Sequence, residues 1–223
     1  MSVLFPLRLS LQVAACATAI TLLVGIPLAY LLARKRFRGK DILALLLTLP
    51  MVLPPTVTGY LLLLLLGKYY PLGRLFHAIT GHELGIIFTW YAAVIASFVV
   101  SFPLMLITAR ASMEDVDQEL INASYVLGRS EFQTVSRVVI PLSGRGIIAG
   151  ATLAFARAMG EFGATIMVAG NVPGKTTTMP MAIYFQTMGQ GYRSSLWMVL
   201  LFVLVAGVVM YVSTRMGRRA VKS

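Results

Sequence analysis

The sequence predicts an all-α, polytopic membrane protein with about five transmembrane helices and one long charged loop on the cytoplasmic side. Three observations predict it. Hydrophobic residues make up 58% of the 223-residue chain and charged residues only 12%, against roughly 25% charged in an ordinary soluble domain. Several apolar runs exceed the roughly 20 residues a helix needs to cross the hydrocarbon layer, where the backbone must bond to itself and helices are expected. Lys and Arg, which give a net charge of +11, cluster beside these runs as topology signals do. They are not gathered on one accessible face, as nucleic-acid binding would need.

The first span covers Leu9 to Ala33, 25 residues without a charge. It is longer than a signal-peptide core and ends in Arg34-Lys35-Arg36, not in a small-residue cleavage site, so it is expected to stay in the mature protein. Residues 34–41 (RKRFRGKD) carry five positive charges and one negative, which places that turn in the cytoplasm and the amino terminus outside. The second span, Ile42 to Gly67, contains Pro50, Pro54 and Pro55 and is expected to be kinked. Residues 68–85, with Lys68, Arg74, His77, His82 and Glu83, form an external connection.

The third span runs from Ile86 to Ala109, with Trp90 and Tyr91 as interfacial anchors and Pro103 as a bend. From Arg110 to Arg145 the chain is polar, and Leu120, Ala123, Ser124 and Leu127 recur at helical spacing before Gly128 interrupts them. Helix, glycine bend, helix is the expected form of this cytoplasmic region. The fourth span, Gly146 to Ala169, holds Arg157 and Glu161 on one helix face. Residues 170–193 look external, with a short helix over 180–188 on the surface or partly re-entrant. The fifth span, Ser194 to Thr214, is followed by Arg215, Arg218, Arg219 and Lys222, which mark the inside. The chain thus reads as one transmembrane domain over 1–223, with no separate soluble domain.

No phosphate loop, HExxH or GxSxG motif is present, so no hydrolysis of ATP or peptide is expected from this chain. The single cysteine, Cys16, offers neither a disulfide framework nor a cysteine metal site, and His77 and His82 have no companion cluster, so no metal site is expected. The pair Arg157 and Glu161 is costly inside a membrane unless paired or hydrated. It is either a structural ion pair fixing the fourth span, or it lines or braces a water-filled path. Pro54, Pro55, Thr56, Thr58 and Gly59 admit two readings as well. They accommodate packing, or they supply the polar wall of a transporter through freed carbonyls and hydroxyls. Gly160, Gly163 and Ala164 allow close backbone approach, within one subunit or across a homodimer axis.

Residues 119–141 resemble the cytoplasmic signature of binding-protein-dependent ABC importer permeases, a Glu-Ala-Ala triplet followed by Gly and then by Ile and Leu-Pro. Asn122, Ala123 and Ser124 occupy the triplet, then Gly128, Val138, Ile140 and Pro141 follow at the matching positions. The segments LTLPMVLPPTVTGY (47–60), SFPLM (101–105) and LAFARAMGEFGATIMVAGNVPGKTTTMP (153–180) closely resemble the molybdate ABC transporter permease. Related tungstate and sulfate or thiosulfate permeases share much of this pattern, and a passive channel, a secondary transporter and a membrane scaffold are the competing classes.

The resemblance implies the type I ABC importer permease fold in a bacterial or archaeal cell membrane. It also implies a homodimer above two cytoplasmic ATPase subunits, and an external binding protein that delivers molybdate. No cofactor is implied in this chain; ATP and magnesium belong on the partner ATPase. Residues 114–141 become the coupling region, with Asn122, Ala123, Ser124, Leu127, Gly128 and Pro141 facing the ATPase. The bent spans, with Pro54, Pro55, Thr56, Thr58, Gly59, Arg157 and Glu161, become the path or gate.

Overall fold

The computed structural model describes residues 3–67, 70–80, 85–190 and 192–220. Lys68, His82, Glu83 and Lys222 lie outside the described residues. Among the described residues, three helices are each long and apolar enough to cross a membrane, and two sharply bent helix pairs raise the number to as many as five. The expected all-α bundle is therefore the observed one.

Helix α1 (Leu4–Arg34) takes in the predicted first span and bends at no break, although Pro27 lies within it. Its inward stripe is made of small residues, Ala14, Ala17, Gly25 and Ala29 among them, which lets another backbone come near where no water is present to drive association. A Cβ on Gly25 would lie 2.6 Å from the sulfur of Met105.

The second predicted span is broken, not merely kinked. α2 (Lys40–Thr48) runs through a 3-10 turn at Leu49–Met51, and α3 (Pro55–Leu66) leaves at 114° to it. Extended backbone at Pro54 (ψ 136°) ends the first piece, and Pro55 opens the second, where its missing N–H costs nothing. Two successive prolines remove donors that a continuous helix would need. No residue of α2 is buried by the rest of the chain. α4 (Pro71–Thr80) is a short helix after α3.

The centre of the bundle is α5 (Trp90–Glu114), two-thirds buried along its most apolar stretch. The Thr89 hydroxyl caps its start by accepting from the Ala92 N–H. It packs against α1 on one side and α9 (Gly144–Met159) on the other, where Gly150 approaches the Met105 backbone.

Between α5 and α9 lies the polar region: α6 (Gln118–Val126), α7 (Glu131–Thr134), a π turn at Val135–Val139 and α8 (Ile140–Leu142). The Glu131–Leu142 segment turns 72° into α9. That turn is fastened by two serines: the Ser112 hydroxyl donates to the Ser143 carbonyl (3.1 Å) and the Ser143 hydroxyl to the Ser112 carbonyl (3.2 Å).

The fourth span, expected as one helix over 146–169, is corrected to two. α9 stops at Met159 with Gly160 as its cap, and α10 (Gly163–Ala169) starts three residues later. The short helix expected at 180–188 is α11 (Met179–Gln190), with Met179 and Met181 fully buried. Its 12 residues fall short of the roughly 20 needed to cross. The last described helix is α12 (Tyr192–Ala220), whose apolar stretch is only 11% buried.

Candidate translocation and coupling sites

The two breaks, at Pro54 and at Gly160, meet. α3 lies on α10 at backbone distance, because a Cβ on Gly59 would sit 2.8 Å from the Ala164 Cα and one on Gly163 2.9 Å from the Pro55 Cβ. The proline group of the sequence is thereby divided. Thr58 and Gly59 are buried against α10, while Pro54 and Thr56 stay exposed. Pro55 borders a pocket of about 280 Å3 together with Pro50, Met51, Leu53, Val100, Leu104 and Arg157.

Arg157 and Glu161 do meet, but across a helix break and not along a helix face. Oε2 of Glu161 lies 2.7 Å from Nη1 of Arg157, in ion-pair contact without the alignment of a hydrogen bond. Oε1 accepts from the Ala164 N–H at 2.7 Å. One carboxylate therefore neutralises the arginine and caps the positive end of α10. The Glu161 side chain is 1% exposed and that of Arg157 32%, so the guanidinium reaches the pocket while its counter-charge stays inside. An apolar pocket bordered by one cation whose charge is offset by a buried carboxylate can attract a small anion without holding it tightly.

In the polar region the expected bend is present. Gly128 has φ +78°, a conformation open to glycine at little cost, and a Cβ there would meet nothing within 4 Å. The Ser130 hydroxyl and the Gln133 side chain form a capping box that starts α7. Ser124 and Thr134 share a buried hydroxyl–hydroxyl bond of 2.9 Å that clasps α6 to α7. Of the apolar positions on α6, Ile121 turns inward, and Leu120, Ala123 and Leu127 remain exposed with Phe132. Asn122 is exposed and accepts from the Gln118 amide at 3.0 Å. Pro141 is exposed in α8.

Sequence reading passed over the residues that hold this region to α1. Arg34 and Lys35 count there only as topology charges, as Arg36 and Arg38 do, and no sequence feature separates them. In the structure Lys35 pairs with Glu131 at 2.6 Å, and the Tyr30 hydroxyl donates to the same carboxylate at 3.1 Å. Those two contacts, Lys35 first, hold the Glu131 carboxyl below its ordinary range.

The chain matches the family model described as binding-protein-dependent transport system inner membrane component over residues 25–223. It is 39% identical over 218 residues to the molybdenum transport system permease protein ModB of Haemophilus influenzae, covering 96% of this chain and 94% of that one. To the protein of the same name in Escherichia coli strain K12 it is 40% identical over 212 residues, covering 94% and 91%. Among solved structures, the MetNI methionine ABC transporter superposes with a TM-score of 0.73 at 16% identity, over 99% of both chains. A bacterial alginate ABC transporter gives 0.77 at 16% identity, over 99% of this chain and 80% of that one. These distant structures bear on the fold alone, and they place it among the type I ABC importer permeases. The chain belongs to the family of binding-protein-dependent transport system inner membrane components, as a multi-pass, non-catalytic permease subunit of an ABC importer homologous to the molybdenum transport permeases.

Proposed function

We propose that the chain forms the translocation path for molybdate, as a homodimer above two cytoplasmic ATPase subunits and beneath an external binding protein. The observation that carries this reading is the pocket at the paired helix breaks, where Arg157 is the one cation among the described lining residues, the others being apolar, and Glu161 offsets its charge. A path that bound an oxyanion tightly would not release it, so the binding protein makes most of the substrate choice. ATP and magnesium act on the ATPase, and residues 114–141 pass its movement to the bent spans.

The test is uptake of labelled molybdate into vesicles that hold the permease with its ATPase and are supplied with loaded binding protein. Uptake should require ATP and should be competed by tungstate more strongly than by sulfate. ATP-driven sulfate uptake without molybdate uptake would replace the substrate; flux without nucleotide would replace the whole mechanism.

The orientation is part of the same reading. Lys35 contacts the coupling region, whereas Lys175 borders a pocket with Arg8 near the opposite end of α1. On the coupling reading, with that region in the cytoplasm, Lys35 faces the cytoplasm and Lys175 the outside, with the amino terminus out. Single cysteines at these positions, with Cys16 removed, should follow that division when intact cells meet an impermeant thiol reagent. Labelling of position 35 and protection of position 175 would invert the topology.

A further inference from the structure

The last turn of α1 grips both arms of the polar region. On the first arm, one Nη of Arg34 donates to the Met113 carbonyl at 2.5 Å, to the Val116 carbonyl, and more weakly to the Glu114 carbonyl at 3.4 Å. The other Nη donates to the side-chain oxygen of Gln118, in the first turn of α6, at 3.3 Å. On the second arm, Lys35 and Tyr30 hold Glu131 at the start of α7.

These contacts differ from a surface ion pair. Carbonyls at the end of a helix have no partner within it, and Met113 and Glu114 are the last residues of α5, where the Met113 carbonyl otherwise has only a long 3.4 Å bond from the Val116 N–H and a contact from the Asp115 N–H. One Nη of the guanidinium meets the carbonyls while the other reaches Gln118, a two-nitrogen fork that the single nitrogen of an ammonium cannot copy. The stem of Arg34 is packed, with Nε buried. The same side chain then spans from the end of α5 to the start of α6, so neither can shift along α1 without breaking its bonds.

We propose that Arg34 is a positioning residue of the transport cycle: it makes the cytoplasmic end of α1 and the coupling region one rigid body, so that movement of α6 and α7 is delivered to α1 as well as to α9. This rests on the coupling reading of residues 114–141 given above. The competing explanation is that Arg34 merely caps α5, in which case its loss lowers stability and leaves coupling intact.

The experiment uses the assembled complex in vesicles and reads molybdate uptake per ATP hydrolysed, with copurified ATPase as the measure of assembly. Arg34→Gln and Arg34→Lys should retain the ATPase, and uptake per ATP should fall about fivefold or more, the lower end of ordinary coupling between sites. Lys35→Glu should also lower the ratio, and adding Glu131→Lys should restore it. An unchanged ratio in an assembled Arg34→Gln complex overturns the proposal.

A second measurement needs no variant of Arg34 and no transported substrate. Spin labels at positions 38 and 119, both exposed in the protein, should keep one separation in the nucleotide-free and ATP-bound complexes. A separation that changes between the two overturns the rigid body. If Gly128→Trp uncouples the complex and Arg34→Gln does not, this proposal falls and the coupling reading stands; if neither uncouples it, both fall.

Discussion

Glu161→Ala is expected to destabilise the protein by about 3 kcal/mol, at the lower end of the cost of stripping one partner from a buried ion pair. Two losses combine. Arg157 is left without a counter-charge inside a membrane protein, though its one-third exposure, towards water on the path reading proposed above, keeps the penalty from the upper end. The Ala164 N–H also loses the carboxylate that caps α10, a loss worth about 1 kcal/mol at helix starts in general. Thermal unfolding of the purified subunit in detergent should show a lowered midpoint, and equal midpoints for Glu161→Ala and wild type would show that the pair holds nothing.

Glu161→Gln should fall between, since its amide oxygen can still cap α10. The informative variant combines Arg157→Met with Glu161→Gln, which removes both charges and keeps the cap. Replacing a buried pair by neutral groups of similar volume is often without cost to stability. If the pair only braces the bundle, transport should return with stability. If Arg157 borders the path, as proposed, stability should return and molybdate uptake should not. Recovery of both would move Arg157 out of the path.

How much of this was legible in the sequence depended on which forces carry a local signature. α1, α5 and α12 could be read because long apolar runs bounded by Arg and Lys leave a membrane protein few alternatives. The double proline announced a disturbance at residue 54 but not its angle, which is set by the packing of Gly59 and Gly163 between α3 and α10. Glu161 was misleading for a physical reason. A spacing of four is what a helix face requires, and here the carboxylate satisfies the same spacing while capping the next helix.

Arg34 was missed for a different reason. Nothing local distinguishes a guanidinium that will meet residues 113–118, about eighty positions later in the chain, from its neighbours that face water. The Ser112–Ser143 and Ser124–Thr134 fastenings were equally silent, because a serine or threonine on a polar segment is unremarkable until its partner is brought to it. Long-range polar contacts between ordinary residues are fixed by the assembled bundle, and periodicity does not encode them.

Gly128→Trp is the second large effect expected, and it should act on ATPase docking and coupling, not on substrate recognition. Gly128 joins α6 to α7 with φ +78°, a backbone conformation that costs a residue with a Cβ about 1–2 kcal/mol. No neighbour lies within 4 Å of where that Cβ would stand, so the first atom of an added side chain enters open space. Leu127 and Phe132, on either side of this turn in the chain, are 76% and 81% exposed. Exposed apolar side chains of this size on a charged segment mark a surface that another protein covers. The plain alternative, a helix lying on the membrane, is opposed by Glu114, Asp115, Asp117 and Glu119, because anionic headgroups repel them. Gly128→Ala separates the two parts of the effect: it carries the backbone strain without the bulk, and should retain most ATPase binding. Gly128→Trp should insert normally yet lose copurified ATPase, or keep it while uptake per ATP collapses. The binding protein should still take up molybdate normally, since its site is remote from this joint. Wild-type ATPase content together with wild-type uptake per ATP in the Gly128→Trp complex would place the coupling joint somewhere other than the turn between α6 and α7.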